Sequence, residues 1–430
     1  MILGVMIFLI FIVFAGLMYA NKLPAIFALP VMAMLISIAA GIPIENIAKT
    51  IISDGSYKLA LPIIVVMFGA MLSQFVAKSG IAEVLVKNVA ELSGDRTYIV
   101  AFSLTLVCAL LFTVLGGLGA VIMVATIVLP IMISIGVSRL VAGCLFLLGL
   151  SLGGVFNLTN WQLYMSVMNI PQQTVFSYAI FLGSIFLAVT ILFLAIEIRR
   201  GEKIMMFSRP LHEKKHLPKF ALLTPFVPLV LVFGFSVFNL VFKPSAPFEF
   251  PIITALMIGL LYGVICINGD WQSRVNMLAK SIFDGIGSVA PAIVLIMGIG
   301  MLLNAVMHPK VSEGISPILT YIMPSNGLHY VLFFLVLAPL ALYRGPLNIW
   351  GMGSGLIGLM LATKTLPPVA IMAALMSVGQ IQGVCDPTNT HNVWIANFLD
   401  INVQTILKKT IFYMWLVTLL GLIVAVVRYF

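Results

Sequence analysis

Long apolar runs separated by short polar segments dominate the chain. In the first half, uninterrupted runs cover 2–20, 24–41, 59–78 and 176–198. Crossing a bilayer takes about 20 apolar residues, so each of these runs predicts a membrane-spanning helix. Residues 80–95 instead mix charged and apolar positions and predict an amphipathic helix at the membrane surface. The pattern therefore predicts an all-α, polytopic membrane protein.

Two further apolar runs of the first half are interrupted near their middle. Residues 98–136 are interrupted at Gly116, Gly117 and Gly119, and residues 140–170 at the polar string 157–162. The first predicts either two full spans or a re-entrant hairpin with a glycine tip. We favour the hairpin, because irregular backbone at membrane depth persists only where protein or a water-filled cavity covers it. The second interruption predicts a broken helix.

The second half repeats this arrangement. Its runs are 221–242, 251–267, 286–306, a hairpin at 328–363, a broken helix at 367–398 and a last run at 410–429. Short echoes recur at an offset of about 230: AKTIISDG (48–55) with AKSIFDG (279–285), FGAMLSQFV (68–76) with GIGMLLNAV (298–306), and NLTN (157–160) with DPTN (386–389). Two repeats, 1–198 and 220–430, joined by a linker at 199–219, are typical of secondary transporters.

The positions of the basic residues predict that the two repeats are inverted. Each repeat then has five spans, an odd number that reverses the second copy. With the linker 199–219 in the cytoplasm, sixteen basic residues lie inside and six outside, and Arg344 belongs to neither set. We expect a multi-pass protein of a bacterial inner membrane with both termini on the periplasmic or extracellular side.

Composition supports the membrane class and excludes others. The 430 residues are 62% hydrophobic and only 9% charged, against about 25% charged in soluble domains. The formal charge of +9 does not indicate nucleic-acid binding, because the basic residues lie in short loops where they set topology. The spacing of the four cysteines fits neither a disulfide framework nor a metal site.

The two hairpin tips and the two breaks are expected to meet at one site, since transporter sites form at discontinuous helices. Candidate substrate-binding residues are Arg344, Asn348, Gly116, Gly117, Gly119, Asn157, Thr159, Asn160, Thr388 and Asn389. Candidate coupling-ion residues are Asp386, Thr390, His391 and Asn392, with a sodium ion placed near Asn157, Asn160, Asp386 and Asn389. No resident cofactor is expected.

Arg344 and Asp386 each allow several interpretations. Arg344 follows a long apolar run, and its guanidinium group fits a substrate carboxylate in bidentate fashion. It could instead pair with Asp386 or extend to the membrane interface. Asp386, which we interpret as the only acidic residue deep in an apolar region, could pair with Arg344, take up a coupling proton or bind sodium.

Four segments resemble a known superfamily. They are the glycine-bearing hairpin GGLGAVIMVATIVLP (116–130), the break NLTN, the segment LATKTLPPVAIMAALMSVG (361–379) and the segment CDPTNTHN (385–392). They resemble the ion transporter superfamily, most closely its gluconate permease and citrate transporter branches. The resemblance implies inverted repeats, re-entrant hairpins, a scaffold with a moving transport domain, homodimers and elevator-type alternating access. The uncharged first hairpin tip differs from the acidic one of gluconate permeases, which argues against gluconate itself.

These observations predict a proton- or sodium-coupled symporter for a small organic carboxylate, either a hydroxy or sugar acid or a di- or tricarboxylate. An organic anion exchanger and a sodium/proton antiporter are the alternatives. The expected partners are the organic anion, the lipid bilayer and a second copy of the chain, and no nucleic acid. An enzyme is not expected, because the apolar core offers one Asp and one His and no catalytic cluster.

Overall fold

The computed structural model describes residues 2–20, 22–94, 96–200, 217–351, 353–364 and 366–430, and of Tyr19, Arg200, Arg344 and Thr363 it describes the backbone alone. The first half holds α1 (Ile2–Tyr19), α2 (Ala25–Ala39), α3 (Ile44–Ser79), α4 (Ile81–Leu92), α5 (Thr97–Phe112), α6 (Gly117–Ser134), α7 (Arg139–Val155), α8 (Leu158–Met168) and α9 (Gln172–Arg200). The second half holds α10 (Lys219–Phe242), α11 (Ile252–Cys266), α12 (Trp271–Met307), α13 (Pro309–Ile322), α14 (Gly327–Leu337), α15 (Gly353–Thr363), α16 (Pro368–Cys385), α17 (Thr390–Leu399) and α18 (Val403–Tyr429). A 3-10 segment, Ala338–Arg344, continues α14.

The order of elements is the same in both halves. Each has two helices, a long helix, an amphipathic helix, a pair with an irregular tip, a broken pair and a final long helix. The first broken pair, α7 and α8, bends by 46°. The short helices α8 and α17 end at matching residues, Asn169 (φ 51°) and Asp400 (φ 54°). Both adopt the left-handed conformation that Asn and Asp tolerate better than most residues, so the helices stop at equivalent points.

The long helices α3 and α12 pack against each other in opposite directions. A Cβ added at Gly55 would lie 2.7 Å from the Cα of Met301, and one added at Gly285 would lie 2.9 Å from the Cα of Met71. Gly55 and Gly285 are counterparts at an offset of 230, and so are Met71 and Met301. The contacts are therefore reciprocal. Glycine at both positions lets the two backbones approach closely.

α3 contains a π-helical segment, Ile47–Ser53, whereas α12 is α-helical throughout. This segment lies in AKTIISDG, which is one residue longer than its echo AKSIFDG. An extra residue in a helix is commonly absorbed as a π-bulge. The side-chain amide of Asn304 on α12 donates to the carbonyl oxygen of Thr50 within the bulge at 2.8 Å. The inserted residue thus changes the helix locally, and the flanking register is kept.

The helices α7 and α16 lie at the centre of the molecule, with most of their residues buried. Ser151 on α7 donates to the side-chain oxygen of Gln380 on α16 at 2.9 Å. These residues occupy counterpart positions in the two halves, at the same offset as the two polar breaks. The two broken helices therefore face each other.

Seven helices of the described residues are long and apolar enough to cross a membrane, or up to nine if each strongly bent pair counts as one span. Five shorter apolar helices, of 10–17 residues, accompany them. A multi-pass membrane protein is confirmed at this level. The predicted ten spans, the inverted orientation and the sidedness of the termini remain predictions, and residues 201–216 of the predicted linker lie outside the described residues.

Candidate functional site

The four predicted interruptions meet around one cavity of about 580 Å³. Its wall is formed by the tips of both hairpins, by both breaks, and by short stretches of α3 and α12. Nine of the predicted site residues line it: Gly116, Gly117, Asn157, Thr159, Asn160, Asn348, Asn389, Thr390 and His391. The convergence expected from the sequence is therefore present in the fold, and the roles of these residues remain to be tested.

Asn157 holds the first break together. It caps α8, and its side-chain oxygen accepts the N–H groups of Thr159 (3.0 Å) and Asn160 (3.3 Å). Its amide nitrogen donates to the carbonyl oxygens of Phe112 (2.9 Å) and Leu115 (3.4 Å) in the first hairpin. Both ends of this buried amide are thereby used within the protein. Asn157 thus fastens the break to the hairpin tip, a structural task in addition to the predicted contact with substrate.

The tip of the first hairpin presents uncapped backbone. Gly117, in the left-handed region at φ 83°, opens α6, and the residue before the helix makes no side-chain cap. No hydrogen bond is recorded in the described structure for the N–H groups of Gly117, Leu118 and Gly119. Gly116, Gly117 and Leu118 line the cavity. A helix N-terminus with free N–H groups favours negative charge nearby.

The tip of the second hairpin is organised by Asn348. Its side-chain oxygen accepts the N–H of Trp350 at 2.9 Å, and its carbonyl oxygen accepts the N–H groups of Gly351 (3.0 Å) and Gly353 (2.9 Å). The indole N–H of Trp350 donates to the side-chain oxygen of Asn160 at 3.2 Å. Trp350, which the sequence did not single out, therefore connects the second hairpin to the first break and forms part of the cavity wall.

The predicted roles of Arg344 rest on a side chain outside the described part of the structure. Its backbone ends the 3-10 segment at the second tip. Pro339 lies in this segment, and Tyr343 has φ 56°. The arm therefore leaves the α-helical path before Arg344. Pro339 is the sequence signal for this change, because proline disrupts a helix interior.

Asp386 begins the second break in the way that Asn157 begins the first. One carboxylate oxygen accepts the N–H (2.8 Å) and the hydroxyl (2.7 Å) of Thr388, and Asp386 is fully buried. Asn389 caps α17 by accepting the N–H of His391 at 3.3 Å. The amide nitrogen of Asn392 donates to the carbonyl oxygens of Val384 (3.0 Å) and Asp386 (2.9 Å). These bonds satisfy backbone groups that the break would otherwise leave unpaired.

Four predicted site residues lie outside the cavity wall: Gly119, Thr388, Asp386 and Asn392. Gly119 instead faces Gln74, whose amide nitrogen would lie 3.4 Å from an added Cβ. The other three form a layer behind the wall, in which Asp386 and Asn392 are fully buried and Thr388 is partly buried. The side-chain oxygen of Asn392 is buried there with no hydrogen-bond partner among the described residues. An oxygen of this kind suits a bound cation or a proton-carrying group.

One expectation is wrong. Asp386 is not the only acidic residue deep in an apolar region, because Glu197 is 4% exposed in α9. It pairs with Lys409 of α18 and accepts the hydroxyl of Tyr413 at 3.3 Å. The sequence suggested a span end here, since Arg199 and Arg200 follow at once. No local signal in the sequence shows this ion pair, because Lys409 lies in a different helix, seven residues into α18.

The cavity wall carries no Asp, Glu, Lys or Arg among the described residues that line it. Most of the wall is apolar, including Val66, Phe112, Leu150, Val289 and Leu375. Neutral hydrogen-bonding groups are set into this surface: Ser151, Thr159, Tyr164, Asn348, Gln380 and Gln382. No group of three or more metal-ligating side chains occurs in the described residues. The site is suited to hold a small molecule through hydrogen bonds and apolar contact.

No family model and no curated protein matches the sequence. Solved structures with the same fold include two transporters. The YdaH transporter of Alcanivorax borkumensis has 15% identity and a TM-score of 0.61 over 89% of this chain and 88% of that one. MtrF of Neisseria gonorrhoeae, described as illuminating a class of antimetabolite efflux pumps, has 13% identity and a TM-score of 0.60 over 92% and 84%.

At these identities the similarity concerns the fold. It confirms an all-α, polytopic membrane fold of the kind seen in these two structures. Both structures are of transport proteins. The chain has the fold of a multi-pass membrane transporter.

Proposed function

We propose that the protein is a secondary transporter that couples movement of a small organic carboxylate to a proton or sodium gradient. The observation that carries the proposal is the cavity bounded by two hairpin tips and two helix breaks. Interrupted helices at membrane depth are costly unless they line a site. Transporters of this general design bind substrate and coupling ion at such points.

The carboxylate would be held between the two hairpin tips. On one side stand the free N–H groups at the start of α6, and on the other the amide nitrogen of Asn348, for which no bond to a described group is recorded. The hydroxyl of Thr159, which lines the cavity, is a third donor. We retain Arg344, at the second tip in sequence, as the candidate for bidentate pairing with the carboxylate.

The coupling ion would lie in the layer behind the wall. The orphaned oxygen of Asn392 and the carboxylate of Asp386 belong to the same break. Oxygen donors suit a hard cation such as sodium, and a buried carboxylate is equally suited to carry a proton. Thr390 and His391 open α17 between this layer and the cavity.

The largely apolar wall of the cavity narrows the class of carboxylate that we expect as substrate. Fully hydroxylated sugar acids would leave most of their polar groups facing apolar side chains, at a cost for each unpaired group. A carboxylate with an aliphatic or aromatic part would bury that part against residues such as Phe112 and Leu375. Of the classes expected from the sequence, we therefore favour organic acids with a substantial apolar portion.

Alternating access would use the inverted relation of the two halves. The reciprocal contacts of α3 and α12 are those expected across a twofold axis, which would pass between Ile63 and its counterpart Ile293. The cavity touches α3 and α12 only on the side of this axis where Lys78 pairs with Asp284. The predicted topology places that end in the cytoplasm. The structure would then represent one of two states, reached by an elevator-type displacement within each copy of a homodimer.

The test is uptake by vesicles containing the purified full chain. Labelled benzoate, phenylacetate, succinate, citrate and gluconate would each be offered with an inward sodium gradient, an inward proton gradient or neither. We expect one gradient to drive accumulation of the acids with an apolar part. No gradient-driven accumulation of any organic acid would contradict the proposal.

Controls separate the alternatives. Arg344→Ala should abolish uptake, and Arg428→Ala, at an exposed arginine of α18, should leave it unchanged. Acceleration by the same acid inside the vesicle, without a cation gradient, would identify an exchanger. Sodium-driven pH change without any organic acid would identify a sodium/proton antiporter. Accumulation only in inside-out vesicles would indicate export, the direction that the description of MtrF names for that protein.

A further inference from the structure

Lys58 is a cation at the outer end of the predicted span 59–78. It is an exposed residue of α3, and it forms no ion pair with any described acidic residue. Its ammonium group donates to the side-chain oxygen of Asn304 at 2.8 Å and lies 3.9 Å from the sulfur of Met307. A cation at the mouth of a substrate path raises the local concentration of anions there.

The counterpart of Lys58 in the second half is part of the cavity. Ser288 occupies that position in α12 and lines the cavity with Val289, Pro291 and Ala292. The counterparts of these four residues, in the same order, are Lys58, Leu59, Leu61 and Pro62. On the other helix, the lining residues Val66, Gly69 and Ala70 correspond to Ile296, Ile299 and Gly300.

The lining residues of α3 and α12 have the same kind of neighbours as their counterparts, but only the lining residues face the cavity. Ser288 and Ala70 line the cavity together, and the β-carbon of Lys58 lies 3.5 Å from a Cβ added at Gly300, the counterpart of Ala70. The half-helix α8 packs along α3, whereas its counterpart α17 makes at most isolated contacts with α12 in the described structure. The cavity is therefore lined by Ser288 and Ala70, and their counterparts Lys58 and Gly300 lie outside it.

We propose that Lys58 is a state-dependent contact for the transported anion. In the state described here the anion faces Ser288, and in the opposite state, after the displacement, it faces Lys58. This inference rests on the proposed function. It adds that the two states attract the transported anion to different degrees. A cation on one wall and a hydroxyl on the other make the outer-facing site, by the predicted topology, the more attractive one for anions.

The opposite state can be trapped without knowing the substrate. The pair Leu118 and Ser288 lines the cavity now, and its counterpart is Pro346 with Lys58. In a background with Cys266→Ser, the other three cysteines being buried, cysteine pairs at 118/288 and at 346/58 should both crosslink in membranes. A pair at 346/49 should not, because Lys49 is not a counterpart of any lining residue. Crosslinking of 118/288 without 346/58, or of neither pair, would overturn the proposal.

The charge of Lys58 is tested with two small thiol reagents, the anionic methanethiosulfonate ethylsulfonate and its cationic trimethylammonium analogue, applied to intact cells. The reporter is Pro346→Cys in the same background. Lys58→Ser should lower the ratio of anionic to cationic reaction rates by about tenfold, since one unit charge acts in opposite senses on the two reagents. Lys49→Ser, a cation of α3 on the same predicted side, should leave the ratio unchanged.

An equal ratio in the Lys58→Ser and parent proteins, an equal fall in both variants, or no labelling from outside would each overturn the proposal. Gel filtration and thermal unfolding establish that each variant is folded. None of these readouts uses an organic acid substrate. Failure of the vesicle assay would therefore reject the proposed function and leave Lys58 as an anion contact, and failure here would leave the proposed function standing.

Discussion

The two helix breaks use the same backbone solution with a different side chain. In the first, an oxygen of Asn157 accepts the N–H of Thr159, and in the second, an oxygen of Asp386 accepts the N–H of Thr388. Asn157 also carries an amide nitrogen, which donates to the first hairpin. Asp386 has a carboxylate oxygen in its place. The two breaks therefore differ at one atom, which is an amide nitrogen bonded to the hairpin in the first break and a carboxylate oxygen in the second.

Exchanging that atom in the first break should have the largest effect. Asn157→Asp would set a carboxylate oxygen against the carbonyl oxygens of Phe112 and Leu115 and remove two hydrogen bonds. We expect a loss of about 3 kcal/mol or more, because a buried group loses its donors and a charge is added without a partner. Fluorescence-detected gel filtration and thermal unfolding in detergent measure this. A midpoint equal to that of the parent protein would show that the first hairpin is held by other contacts.

The converse exchange should spare the fold and damage coupling. Asp386→Asn keeps the oxygen that accepts from Thr388. Loss of the charge should weaken sodium dependence, or shift proton dependence, by about thirtyfold, if the carboxylate supplies a contact of about 2 kcal/mol. The measurement is uptake against sodium concentration and pH. Full activity with unchanged ion dependence would place the coupling ion elsewhere.

The positions of the breaks and tips could be predicted from sequence because they depend on residues with local effects. Glycine, proline and short polar side chains change what the backbone can do within a few residues. Gly117 and Asn157 are examples, and the structure turns or breaks at both. The polar echoes at a fixed offset extended that inference to the second half.

Other features depend on partners distant in the sequence and could not be predicted. The burial of Glu197 requires Lys409, which is brought to it only when α9 and α18 pack together. The amide nitrogen of Asn157 fastens the first break only because the carbonyl oxygens of Phe112 and Leu115 in the first hairpin accept its hydrogen bonds. The division between a residue that lines the cavity, such as Asn389, and a neighbour behind it, such as Thr388, follows from how the broken helix is turned.

The pair α9 and α18 offers a second contrast between counterpart positions. Glu197 is buried against Lys409, and its counterpart Arg428 is exposed, lying over the ring of Phe181 and donating to the carbonyl oxygen of Ser177 at 3.3 Å. Glu197→Ala should cost about 2 kcal/mol, since it leaves a partly buried lysine without its partner. Arg428→Ala should cost less than about 0.5 kcal/mol, as exposed contacts do. Equal changes in the thermal midpoint of the two variants would show that the burial of Glu197 adds no stability beyond that of the exposed Arg428.

The smallest effect is expected where the two halves differ by one residue. Deleting Ile52 shortens AKTIISDG to the length of AKSIFDG and should convert the π-segment Ile47–Ser53 into regular α-helix. The register on either side is retained, because a π-bulge absorbs one residue without rotating the flanking helix. The main loss is the bond from Asn304 to the carbonyl oxygen of Thr50, a cost of about 1 kcal/mol.

Deleting Ile282 from the regular helix α12 is the matched control. It removes a residue of the same type at an equivalent place, but with no bulge to absorb the change it rotates one side of the helix relative to the other by about 100°. The close approach of Gly285 to Met71 and the wall at Ser288 would then be lost. We expect the first deletion to yield folded protein and the second to yield none. Equal damage from both would mean that the extra residue is required for the fold, and a tolerated deletion at Ile282 would contradict the reciprocal packing of α3 and α12.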